Sequence, residues 1–252
     1  SRGGVTPEAI GYLQIPLFSS GTTEQTIVTA VLSSNLGAYG VKLPTANDSV
    51  SVAFGAEYRE EALDANYDAN YQAFEGAGQG GPLLPVSGSY NVKDLFAEFR
   101  APLLQDMFLA QDLTLNGSYR YSDYSLDQTT NTYGIGVDWA PIESVRVRGS
   151  YQHAVRAPNV IELYSAASVG LFDWSDPCGP SRTLTVEQCQ NTGLDPARYG
   201  SNALSSPAGQ YNGFFGGNED LTPEEADTWT AGIVLTPEFL DGFSLTLDYW
   251  SI

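Results

Sequence analysis

Between Val145 and Arg156 the chain alternates without a break. Val145, Val147, Gly149, Tyr151, His153 and Val155 share one parity, and Arg146, Arg148, Ser150, Gln152, Ala154 and Arg156 share the other. A strand turns successive side chains to opposite faces, so this segment predicts one apolar, aromatic face and one strongly polar face. Seven further segments carry the same period. They are 25–36 (apolar Val28, Ala30, Leu32), 49–60 (Val50, Val52, Phe54, Tyr58), 90–101 (Leu95, Ala97, Phe99) and 112–124 (Leu113, Leu115, Tyr119, Tyr121) in the first half. In the second half they are 131–139 (Tyr133, Ile135, Val137, Trp139), 227–235 (Trp229, Ile233, Leu235) and 243–252 (Phe243, Leu245, Leu247, Tyr249). Phe96, Val234 and Trp250 break the parity of their segments. The fold class is all-β, an antiparallel meander of about eight neighbouring strands.

The connections between these strands are unequal. At one end lie 37–48, 102–111, 140–144 and 236–242, each compact and each holding a proline. At the other lie 1–24, 61–89, 125–130 and 157–225, three of them long. Long loops are uncommon inside compact soluble domains and usually carry function. A soluble sandwich also alternates, with its apolar face inward. A transmembrane barrel alternates with its apolar face toward lipid, and has short turns at one rim and long loops at the other. The aromatics follow the barrel pattern. Trp139 and Phe243 flank short turns, while Tyr58, Tyr121, Tyr151 and Tyr249 lie toward the long loops, as in interfacial girdles.

Charge and composition narrow the classes. With 30 Asp and Glu against 11 Lys and Arg, a net charge of −19, the chain lacks the basic face that nucleic acid requires. Its 26 Gly and 15 Tyr suit strands and turns. It has no apolar run long enough for a membrane helix, whereas a barrel strand needs only ~9–11 alternating residues. The sequence opens on Ser1 and stops at Ile252 in an apolar strand, which reads as an internal fragment of a longer protein.

Two motifs are specific. SYQHAVRAPNVIELY, Ser150–Tyr164, resembles the S-x-x-F-R-A-P-x-x-x-E-L-F segment of TonB-dependent outer-membrane receptors. GNEDLTPEEADTWTAGIVLTP, Gly217–Pro237, resembles their G-N-P-x-L-x-P-E-x-A-x-x-W segment, and FGAEYREE, Phe54–Glu61, a third recurring strand. Val155 stands where the family usually has Phe, and Glu219 where it often has Pro. The resemblance implies a 22-stranded barrel closed by an N-terminal plug. Such receptors sit in the outer membrane of Gram-negative bacteria and take up scarce ligands (a ferric siderophore, a carbohydrate or a cobalamin-like compound) with energy supplied through TonB. Residues 1–252 would be about eight strands of that barrel, without the plug and the remaining strands. The partners this implies are outer-membrane lipid, the TonB complex through the N-terminal part of the parent, and a small ligand.

Candidate chemistry is sparse. Cys178 and Cys189 are the only cysteines and share the longest loop. An oxidising compartment predicts a disulfide; the alternative, a metal pair, lacks further ligands, since the one histidine is distant in sequence. Trp174 and Tyr211 are candidate ligand contacts among loop aromatics, which otherwise pack the loop on itself. Arg59, Arg100, Arg120, Arg146, Arg148 and Arg156 fall on the polar parity and would face the lumen, either paired with Asp94, Glu98 and Asp138 or steering an anionic ligand. Adjacent pairs such as Glu224–Glu225 point to opposite faces, and a single His supports no Ser/His/Asp set, so neither catalysis nor a cofactor is expected. The competing reading is a secreted β-sandwich that binds glycans, with the apolar parity buried; an extracellular glycoside hydrolase is a weaker third.

Overall fold

The computed structural model describes residues 4–252. Ten strands form: β1 Ser19–Asn35, β2 Ser51–Tyr67, β3 Val86–Met107, β4 Ala110–Tyr124, β5 Gln128–Ile142, β6 Val145–Arg156, β7 Ser168–Asp173, β8 Gln210–Phe215, β9 Glu224–Leu235 and β10 Leu245–Ser251. Four short helices accompany them: α1 Pro7–Leu13, α2 Ala69–Gln72, α3 Val160–Tyr164 and α4 Val186–Gln190. The chain separates into a sheet unit, residues 23–63, 88–163 and 219–252, and a loop unit, residues 4–22, 64–87 and 164–218.

One sheet in the order β1-β2-β3-β4-β5-β6-β9-β10 holds the eight expected strands as sequential neighbours, leaving β1 and β10 at its edges. The registers are long and antiparallel: Tyr119 faces Tyr133, Tyr133 faces His153, and Tyr151 faces Trp229. The turns differ in kind. Phe108 and Leu109 alone separate β3 from β4, while Asp127, at φ 56°, closes the three-residue turn into β5. A short polar side chain tolerates that left-handed backbone.

Four boundaries correct the sequence reading. Strand β2 continues to Tyr67, so the expected 61–89 loop is shorter. The expected connector 102–111 is mostly strand: Pro102 sits at a register shift between Pro102 and Leu104, and β3 runs on to Met107. A proline lacks the N–H of the ladder, and a bulge absorbs the loss. The last strand starts at Leu245, not Phe243. The 157–225 loop contains a hairpin, β7–β8, and two helices.

Burial is inverted relative to a soluble protein. Every buried residue of β3, β4 and β5 (Tyr90, Val92, Asp94, Pro102, Ala110, Thr114, Ser122, Thr130, Ala140) lies on the polar parity. On the other parity Phe54, Leu95, Ile135, Trp139, Trp229 and Leu247 are exposed. Leu115, Val147 and Ile233 are partly exposed, and none is buried. A shallow recess of about 740 Å³ on the polar face is lined in turn by Ser33, Ser51, Arg100, Asn116, Gly136 and Gln152, one from each of β1 to β6.

Candidate functional site

The polar face is a connected field of ion pairs. Glu57 of β2 and Asp94 of β3 each lie 3.3 Å from the Arg120 guanidinium of β4. Asp94, only 3% exposed, also accepts from the Ser122 hydroxyl. The parity-breaking Phe96 belongs here: Arg120 lies 4.8 Å over its ring, and the ring rests on Gly55, where a Cβ would come within 2.2 Å. A flat ring on a glycine leaves room above it for the cation.

The remaining arginines occupy the same face. Arg59 lies 3.5 Å from Glu61, which also accepts from the Tyr90 hydroxyl at 3.2 Å. Arg100 donates to Thr114 at 3.4 Å. Arg148 crosses β9 at Gly232 to hold Asp248 of β10 with bonds of 2.7, 2.8 and 3.0 Å. Arg146 faces Val234 on the adjoining strand. Asp94 therefore pairs as anticipated, while Asp138 takes Asn116, at 3.2 Å. Glu61 is a local partner two residues on in the same strand, whereas Glu57, Asp248, Glu162 and Glu224 lie on other strands or in α3 and have no local signal.

Arg156 joins the two sequence motifs. Its Nη1 reaches Glu162 at 3.0 Å and its Nη2 reaches Glu224 at 2.8 Å. Asn159 and Glu162 cap α3 reciprocally: the Asn159 N–H donates to Glu162 at 2.8 Å and the Glu162 N–H donates to Asn159 at 2.9 Å. These bonds hold the Glu162 carboxyl below its ordinary value, Arg156 contributing most. Val160 and Leu163 bury the underside of α3.

In the loop unit, Cys178 and Cys189 form a disulfide across 11 positions, with both residues buried. Thr185 and Gln188 cap α4 reciprocally between them. Tyr199 donates to the Leu184 carbonyl at 2.7 Å under the Arg182 guanidinium. The β7–β8 hairpin sets Phe172 at the centre of three rings: Trp174 at 6.2 Å, Tyr211 at 6.3 Å and Phe215 at 6.1 Å. Trp174 and Tyr211 are thus brought together around one ring. Trp174 is 59% exposed, whereas the Tyr211 hydroxyl donates to Leu204 and accepts from the Ser206 N–H. Gly81 lets its segment approach the hairpin, since a Cβ there would meet the Val169 carbonyl at 2.2 Å.

A family model described as TonB dependent receptor-like, beta-barrel, matches residues 8–252. The chain belongs to this family. Among solved structures, the receptor barrel resembles a mutant ferric enterobactin receptor from Pseudomonas aeruginosa bound to enterobactin, at 18% identity and TM-score 0.56. That likeness covers 91% of this chain and 27% of the other. The siderophore receptor PirA from Pseudomonas aeruginosa (16% identity, TM-score 0.55) shares 92% of this chain and 32% of its own. PirA from Acinetobacter baumannii (12% identity, TM-score 0.53) shares 92% and 27%. No curated protein matches the sequence. The chain therefore spans about a quarter to a third of the solved receptors it resembles. The family is one of transport receptors, and its barrel excludes the sandwich reading: the eight strands form one sheet with the apolar parity outward.

Phe172 packs the loop on itself, as expected of most of its aromatics. Sequence reasoning missed three positions. Glu162 and Glu224 share Arg156. The third, Asp227, sits opposite His153 on the apolar parity; a carboxylate in that row was the available signal.

Proposed function

We propose that residues 1–252 form part of the wall of an outer-membrane receptor that takes up a scarce small ligand, a siderophore in the first instance, with energy delivered through TonB. The plug and the TonB contact would be supplied by the rest of that protein. The inverted burial carries the reading: rings and aliphatics on the open face, ion pairs and buried polar groups on the other. Solved relatives named as siderophore receptors support the ligand class, and the loop hairpin with Trp174 offers a ring surface for it. In this reading the six arginines line the lumen, where carboxylate partners hold Arg59, Arg120, Arg148 and Arg156 in place.

Single cysteines test the reading in a full-length form lacking Cys178 and Cys189, in intact outer membranes. Ile135→Cys, Val147→Cys and Ile233→Cys should react with a lipid-phase thiol reagent and not with a water-soluble one. Gly134→Cys and Arg148→Cys should behave in the opposite way. Protection of the first set from both reagents would overturn the membrane reading. Uptake of a labelled ferric siderophore that vanishes without TonB tests the transport part.

A further inference from the structure

The apolar face carries one polar constellation. His153 of β6 and Asp227 of β9 face each other in register and pair, Nδ1 to Oδ1, at 2.9 Å. The Tyr151 hydroxyl donates to the same Oδ1 at 2.8 Å. Tyr133 stacks on the imidazole at 4.9 Å between ring centroids, with an interplanar angle of 18°. Tyr151 packs against Trp229 at 4.5 Å. The imidazole is largely covered, but the Asp227 side chain is 59% exposed and Trp229 is 61% exposed. Both bonds to Asp227 fall on Oδ1; among the described residues Oδ2 makes none. An indole face and a carboxylate oxygen, two positions apart on one strand face, are thus held open side by side.

A bare girdle needs no carboxylate, and one set in hydrocarbon would be costly. His153 lies eight residues above the short turn that ends at Val145, ~26 Å along the strand, which at the ~35–45° tilt of barrel strands is a rise of ~18–21 Å and sets the pair in the exterior-side part of a ~25 Å apolar band. An indole stacks on the C–H face of a pyranose, and a carboxylate preoriented by two donors accepts from vicinal hydroxyls. The exposed carboxylate disfavours a phosphate in that place and favours hydroxyl donors.

We infer that Trp229 and Asp227, braced by Tyr151 and His153, form an outward-facing site for a sugar ring at the exterior interface, separate from the lumen. The inference rests on the outer-membrane reading. The sugar belongs either to a glycolipid headgroup in the surrounding leaflet or to a free glycan at the surface.

The test uses the full-length protein in phospholipid nanodiscs, with and without added lipopolysaccharide, and separately with the oligosaccharide released from that lipopolysaccharide. Retained lipopolysaccharide and thermal unfolding are read for the native protein and for Trp229→Ala, Trp229→Phe and Asp227→Asn. Either sugar source should raise the unfolding temperature of the native protein, and Trp229→Ala and Asp227→Asn should weaken binding roughly tenfold or more. Trp229→Phe should keep most of it and also keeps the ring at the interface. A response only to lipopolysaccharide supports the headgroup; a response to the free oligosaccharide supports a surface glycan. Disc entry with binding that ignores Trp229 and Asp227, or no binding of either source, overturns this site and leaves the membrane reading intact. Failure to enter discs overturns both.

Discussion

Arg156, the last residue of β6, and Glu224, the first residue of β9, are joined by two bonds, 2.8 and 3.0 Å, although 68 positions separate them. The same guanidinium holds Glu162 through two further bonds of 3.0 Å each. One planar group thus ties the exit of the long loop, its first helix and its re-entry. Lysine cannot reproduce a double fork. Arg156→Lys and Arg156→Ala should both leave the sheet folded and release the loop base. Limited proteolysis should then cut within 157–223 markedly faster than in the native protein, with β-sheet circular dichroism unchanged. Equal cleavage rates would show that α3 and the hairpin hold the loop unaided.

Acid should loosen the same place. The Glu162 carboxyl is depressed below its ordinary value of 4.5, first by the bonds from Arg156 and then by the Asn159 N–H. A group whose folded value is depressed contributes stability above its unfolded value and loses it as pH falls through the folded one. Protection of the amides around 159–164 should therefore be full near neutrality and decline once pH drops below 4.5. In Glu162→Gln it should be lower and flat across that range. Hydrogen exchange corrected for intrinsic rate against pH measures both.

Strands were legible wherever one face is apolar and the other polar, because there the period of two shows. β4 matches its sequence bounds closely, Asp112–Tyr124 against Ala110–Tyr124. Past Glu60 the alternation lapses, so β2 reads as ending there although it runs on to Tyr67. The six-residue strands SVGLFD and QYNGFF are too short to show a period. Pro102 read as a break because its cost is local, while the bulge that accommodates it is a property of two strands. The arginines were legible as a polar row and Asp94 as one of their partners, but most partners were not, since Arg120 with Glu57 and Arg148 with Asp248 are set by register across 63 and 100 positions.

Two glycines on the polar face should respond differently to alanine. At Gly55 the new methyl meets the Phe96 ring at 2.2–2.7 Å, and that ring is pinned beneath Arg120. Overpacking of this kind costs about 1–3 kcal/mol. At Gly232 the methyl meets the Asp248 carboxylate at 2.1 Å and the Arg148 Nε at 2.9 Å. Those are flexible ends about half exposed, and the pair they form contributes roughly 0–1 kcal/mol after solvent screening. Unfolding of the full-length protein in detergent should show a clear loss for Gly55→Ala and little change for Gly232→Ala. A reversed order would mean that the Arg148–Asp248 bridge, not the Arg120 cluster, stabilises the sheet.

The disulfide acts on the loop unit alone. It closes a segment of 11 positions that already holds a reciprocally capped helix, and the Gly200 N–H donates to the Cys178 carbonyl at 2.9 Å. Removing so short a crosslink frees about 2–3 kcal/mol of chain entropy in the opened loop. None of that term belongs to the sheet, whose ladders and ion pairs lie elsewhere in the chain. Cys178→Ser with Cys189→Ser should therefore leave the main unfolding transition in place and raise hydrogen exchange across 178–200. Free-thiol titration of the denatured native protein should find none before reduction and two after. Two thiols before reduction would remove the crosslink from the account, and Tyr199, with its bond to Leu184, would then be the chief remaining brace of that loop.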